Sequence, residues 1–241
     1  MKTKHLFIIA VLATALQPAA LRADETKSSW RTAAQLNLYF AGLSGDATVK
    51  GFPANVDQSF RDIASNLKAA LAGKITVAND KWSLATEFSY MKLGAANSAV
   101  SVDVKQWLVE PSVGYKVSDG VVAFAGGRYN SIDVTATASG PAGIAKNDRK
   151  DWWTPIIGVQ FNMPITAHSL TFVGHFDVGS TGSSNSTWQV FPYLNWHISE
   201  RSSAQAGYRW LNTDYETGSG SSKFAYNMLA QGPQLGFSYQ F

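Results

Sequence analysis

Residues Gly232 to Phe241 read GPQLGFSYQF. Leu235, Phe237, Tyr239 and Phe241 are apolar at every second position, with Gln234, Gly236, Ser238 and Gln240 between them. A strand turns successive side chains to opposite faces, so this segment is a strand with one apolar and one polar face. A soluble sheet would cover the aromatic end of that face, whereas a strand facing lipid needs it bare. The same alternation recurs upstream. It predicts an all-β fold: a closed, antiparallel, up-and-down transmembrane β-barrel of about ten strands, with about 8 or 12 as alternatives.

The other end of the sequence agrees with export. Lys2, Lys4 and His5 head an apolar run from Leu6 to Leu16, Pro18 breaks it, and small residues follow to Ala23. That order predicts a secretory signal peptide over residues 1–23 and a barrel domain over residues 24–241. The run is shorter than the roughly 20 apolar residues a membrane helix needs. The absence of Cys excludes a lipid-anchored Cys, disulfides and thiolate metal sites. Lys2, Lys4 and Arg22 lie in the leader, so 20 − 3 = 17 basic residues remain against 17 acidic ones. A mature charge near zero gives no basis for binding nucleic acid.

The first strand is expected over Trp30 to Leu43, with a long loop to Asn66. In that loop Asp57 caps a short helix bearing Phe60, Ile63 and Leu67. Tight turns are expected at Ala78–Asp80, Ser118–Gly120, Met163–Ala167 and Ser199–Arg201. Longer loops are expected near 94–101, 135–150, 180–186 and 217–222. Short turns on one side and longer loops on the other are the asymmetry of bacterial barrels. Most of the eight Trp fall on the apolar parity near strand ends, where interfacial girdles sit. Pro111, Pro155, Pro192 and Pro233 fall inside strand runs, where they cannot donate to the ladder, and are assigned to bulges.

The opposite parity carries Lys68, Lys74, Glu87, Glu110, Arg128, Gln160, His175, Asp177, Gln189 and Arg209. On the lipid face an Arg or Lys would cost roughly 2–4 kcal/mol at mid-bilayer, so these side chains belong inside. The set read as lining the lumen is Lys74, Glu87, Glu110, Arg128, Gln160, Gln189 and Arg209. Paired charges filling a narrow barrel are the default reading. Ion-selecting charges along a thin pore are the sharper one.

The final strand, with Phe237, Tyr239 and Phe241, resembles the sorting signal that the barrel-assembly machinery of Gram-negative bacteria reads. Three segments are similar to a group of small outer-membrane β-barrel proteins: SFRDIASNL (Ser59 to Leu67), DWWTPIIG (Asp151 to Gly158) and GYRWLNTDY (Gly207 to Tyr215). The resemblance implies the barrel fold and the outer membrane, reached by the general secretory route, and implies no activity. A barrel so placed meets outer-membrane lipid and lipopolysaccharide, and a monomer is expected.

His175 and Asp177 stand two apart on the inner parity, which resembles the pair that activates water in the ten-stranded omptin proteases. General-base work needs a His oriented by a carboxylate within hydrogen-bond reach. The chain is short for an omptin and offers no second acidic pair. A lipid A-modifying enzyme needs a nucleophile beside its base, and neither His168 beside Ser169 nor His197 supplies one. The glycines lie in turns and loops with no following helix, so no nucleotide-binding loop is read. Three mature histidines on mixed parities do not predict a metal site, and no cofactor is expected. Loops rich in Ser, Thr, Gly and Ala leave surface adhesion as a further alternative.

Overall fold

The computed structural model describes residues 29–96, 100–138, 145–166 and 169–241. The signal peptide expected over residues 1–23, and His168, lie outside them. The strand segments are β1 (Arg31–Tyr39), β2 (Gly42–Val49), β3 (Phe52–Gln58), β4 (Leu67–Ala78), β5 (Trp82–Ala96) and β6 (Val100–Ser118). They continue as β7 (Val121–Ala138), β8 (Ala145–Thr166), β9 (Leu170–Gly182), β10 (Asn185–His197), β11 (Ser202–Thr217) and β12 (Phe224–Gln240). Each neighbour from β4 to β12 pairs antiparallel, and β1 pairs with both β4 and β12, which closes the ring. β2 prolongs β1 along β12, and β3 runs back beside β2 toward β4. β1 with β2, and β3 with β4, each make one stave, so the barrel has ten. Closure removes the edges that hydrocarbon could not satisfy.

The lipid face is set by two aromatic rows. Trp82 and Tyr90, Tyr115 and Trp107, and Trp196 and Trp188 each stand eight positions apart on one strand, all on the outward parity. At ~3.3 Å per residue and a tilt of ~40°, eight positions span about 20 Å, close to the roughly 25 Å apolar band of such barrels. Between the rows Leu84, Val113, Ile157 and Leu194 point outward. One row lies near the end where β1 begins, β12 ends and the short turns lie, which is the periplasmic end by the usual arrangement.

Several expectations change. The stretch after Leu43 is wall rather than loop: β2 and β3 form a hairpin turned at Lys50 and Gly51, both with positive φ. Likewise β7 runs to Ala138 and β8 starts at Ala145, so strand replaces most of the long loop expected there. Beyond the outer girdle a strand meets water on its outer side, so it can be polar on both faces. The alternation that marks a strand then disappears.

The helix α1 (Phe60–Asn66) is capped by Ser59, not Asp57. The Asp62 backbone N–H donates to the Ser59 hydroxyl, and the Ser59 N–H donates to the Asp62 carboxylate, a reciprocal capping box. It lies in the wall, where β4 parts from the β1–β2 stave. Ile63 is buried, and the Phe60 ring stands edge-on to Phe40 at 5.1 Å.

Pro111, Pro155, Pro192 and Pro233 are not at bulges; among the described prolines Pro164 adjoins one. At Pro111 and Pro192 the ladder opens on one side with no change of register. Each of these breaks is flanked by a close glycine approach. A Cβ on Gly126 would stand 2.2 Å from the Pro111 carbonyl oxygen. A bulge between Leu67 and Ala69 instead turns Lys68 outward, against the inner placement expected for it.

Candidate functional site: the lumen

Two arginines organise the middle of the barrel. Arg128 on β7 is 0% exposed. Its Nε donates to Glu110 of β6 at 2.5 Å, one terminal nitrogen to Thr187 of β10 at 2.6 Å, and the other to Asp177 of β9 at 3.0 Å. Arg209 on β11 donates to Gln189 of β10 at 2.8 Å and to Glu87 of β5 at 2.5 Å, with Gln234 of β12 at 3.4 Å. Its guanidinium also lies 5.6 Å from the centre of the Tyr39 ring. Glu110 stands 3.9 Å from Arg209 and so joins the two groups. Lys74 is the cross-strand partner of Glu87 and borders the same space. Lys74, Arg128 and Arg209 thus face Glu87, Glu110 and Asp177, three charges of each sign.

The staves bring these residues together because each is on the inward parity at a similar height. Charge-assisted bonds are the strong kind, and an Arg fork fixes several acceptors at once. An unpaired charge here would cost several kcal/mol, and both guanidinium groups meet carboxylates. The Thr187 hydroxyl, which accepts from Arg128, in turn donates to the Asn212 carbonyl at 2.6 Å.

His175 completes one side. Its Nε2 lies 3.3 Å from Asp177, and its ring stacks on Phe124 at 4.7 Å. The Asp177 side chain is fully buried and its other oxygen is held by Arg128. The cavity beside them, lined by Lys74, Glu87, Glu110, Phe124 and His175 among others, measures about 20 Å³. That is room for about one water. Among the described residues no group of His, Cys, Asp or Glu is placed to hold a metal.

Toward the outer end an apolar layer closes the lumen. Ile132, Trp152 and Phe224 are buried together, with Val49, Val104, Val134, Tyr215 and Tyr226 packed against them. Trp152 lies flat on Tyr215, 4.3 Å apart and 3° from parallel. Toward the periplasmic end amides bond in pairs, Gln35 to Asn37, Gln205 to Asn37, and Gln160 to Asn162. Gln160 therefore lies in this amide layer and outside the charge network. Phe237 and Tyr239 are exposed on the outer face of β12, and Phe241 is exposed just beyond its end.

Thr187, Gln234 and Trp152 were absent from the residues singled out by sequence. Gln234 stands on the polar parity of the C-terminal strand, and Trp152 must face inward once Trp153 faces out. Both were legible. Thr187 is one of many strand threonines, and only the position of Arg128 marks it.

No protein-family model matches the chain, and no curated protein matches it in sequence. Solved structures do match in fold. The outer-membrane protease OmpT of Escherichia coli superposes with a TM-score of 0.58 at 10% identity, covering 90% of this chain and 99% of that one. The translocator domain of the autotransporter NalP from Neisseria meningitidis gives 0.47 at 14%, covering 90% of each. The chain has the closed antiparallel β-barrel fold of outer-membrane proteins such as the OmpT protease. At these identities the likeness shows the fold alone.

Proposed function

We propose that the protein is a structural outer-membrane barrel whose lumen is sealed by its own side chains, rather than the narrow pore or enzyme that the sequence also allowed. The observation that carries this reading is Arg128, completely buried and bonded at once to Glu110, Asp177 and Thr187. A permeant ion would have to displace a guanidinium that is already neutralised. Equal numbers of fixed charges also leave no net field to select one sign of ion. His175 and Asp177 are in contact, one carboxylate oxygen on the imidazole and the other on Arg128, but the space beside the pair holds about one water and leaves no room for a substrate.

The partners in this reading are outer-membrane lipid and lipopolysaccharide around a monomer. The aromatic row Phe237, Tyr239 and Phe241 serves as the segment that the assembly machinery reads. The test is single-channel recording of the refolded protein in a planar bilayer. Protein shown to be folded by its heat-sensitive gel mobility is expected to give no discrete steps. Reproducible steps whose selectivity shifts in Glu110→Gln would replace the sealed barrel with the pore.

A further inference from the structure

The outer wall of β4 to β7 carries two features that the sealed lumen does not use. The first is a row of lysines just beyond the outer girdle. Lys92 and Lys105 are direct cross-strand partners on the outward face. Like charges placed opposite each other destabilise a sheet. Lys68, turned outward by its bulge, joins them and bonds Asp103. Asp133 is the partner of Lys105 on the other side. Three ammonium groups meet two carboxylates, and neither Lys92 nor Lys105 is in an ion pair among the described residues.

The second feature is a groove of about 500 Å³ on the lipid face of the same strands. Its floor is the register line Thr86, Pro111 and Gly127, where side chains are short or absent. Ile75, Leu84 and Val113 stand as its walls. It crosses four strands, which at ~4.8 Å per gap makes it about 14 Å wide. Hydrocarbon chains in van der Waals contact sit a little over ~4 Å apart, so about three lie abreast.

The two features are matched in depth. Lys92 stands six residues along β5 from Thr86. Six residues at ~3.3 Å and a tilt of ~40° put the groove about 15 Å below the lysines, half of the ~30 Å hydrocarbon core. An outer-leaflet lipid with its head on the lysines ends its chains in the groove.

We propose that this wall binds one bis-phosphorylated, multiply acylated glycolipid of the outer leaflet, its phosphate on Lys92 and Lys105 and its chains over Thr86, Pro111 and Gly127. The proposal rests on the lipopolysaccharide contact proposed above and gives it a place. Cations at this height meet lipid phosphate, and the width of the groove favours many chains over two.

The test is native mass spectrometry of the folded barrel released from micelles containing lipid A. The wild type is expected to retain one lipid A per barrel. K92Q/K105Q is expected to bind at least tenfold more weakly, and T86W/A125F, which fills the groove, at least threefold. K116Q, at the periplasmic end, is expected to match the wild type. Dephosphorylated lipid A and phosphatidylglycerol are each expected to bind the wild type at least tenfold more weakly than lipid A. Equal retention by the wild type and both double variants overturns this site while leaving a general lipid contact standing. Phosphatidylglycerol binding as tightly as lipid A overturns the glycolipid assignment. No retention by the wild type overturns the lipopolysaccharide contact itself. Gel mobility of each variant shows that it is folded before it is scored.

Discussion

Arg128→Met is the most informative single change. It keeps much of the side-chain volume and removes the guanidinium that bonds Glu110, Asp177 and Thr187. Glu110 then has only Arg209, at 3.9 Å, and Asp177 only His175, at 3.3 Å. Removing one partner of a buried ion pair costs about 3–5 kcal/mol, because the remaining charge stays buried. The bonds do not add, since one water can enter the small cavity beside them. We therefore expect a loss of about 3–5 kcal/mol, a fall of two to nearly four orders of magnitude in the folded-to-unfolded ratio at ~1.4 kcal/mol per tenfold. Urea unfolding of the refolded protein in detergent micelles, followed by tryptophan fluorescence, measures it. The triple variant R128M/E110Q/D177N, which removes the charges as a unit, is expected to recover to within ~1 kcal/mol of the wild type. If R128M alone falls within ~0.5 kcal/mol of the wild type, the range of an ordinary surface change, the network is not what holds the lumen.

Three further outcomes are expected. Phe241→Ser removes the exposed aromatic that stands edge-on to Tyr239 at 5.4 Å. It is expected to lower the fraction of heat-modifiable barrel in outer-membrane preparations several-fold, and an unchanged fraction would remove this row as the assembly signal. Gly126→Val places a Cβ 2.2 Å from the Pro111 carbonyl oxygen, so β6 and β7 must part. A loss of about 1–3 kcal/mol is expected in the same urea experiment. In the capping box, hydrogen bonds from the Ser59 hydroxyl and backbone hold the Asp62 carboxyl below the usual carboxylate range. A depressed folded value means that this contribution is present above the ordinary carboxylate pKa and is lost as pH falls through the depressed one. Ser59→Ala should move the Asp62 titration back up, read by carboxyl carbon NMR, and an unmoved midpoint would contradict the cap.

The parts of the fold visible in the sequence are those where one face meets lipid. Between the girdles, the outward placement of Trp82, Trp107, Ile157, Trp188 and Phe237 follows from period-two alternation alone. Even β7, with its glycines and alanines, has a legible parity, since Arg128 has only the lumen to face. The reading weakens where that constraint ends. β2 and β3 looked like a loop because strands standing clear of the bilayer carry no lipid signature. Lys68 is expected inside because alternation runs through it unbroken: a single-residue bulge reverses parity, and nothing in NLKAA (Asn66 to Ala70) announces one.

The sequence by itself determined the strand class, the closed barrel, the lipid face and the inward side of the charged residues, because water-free hydrocarbon tolerates no other placement of them. It did not determine which charges meet. Glu87 and Arg209, or Arg128 and Asp177, are far apart in the chain and come together across the lumen only after shear and closure set the relative height of each stave. The tertiary structure alone decided that the lumen charges balance and fill the bore. It alone placed the lysines of three strands above a groove formed by four.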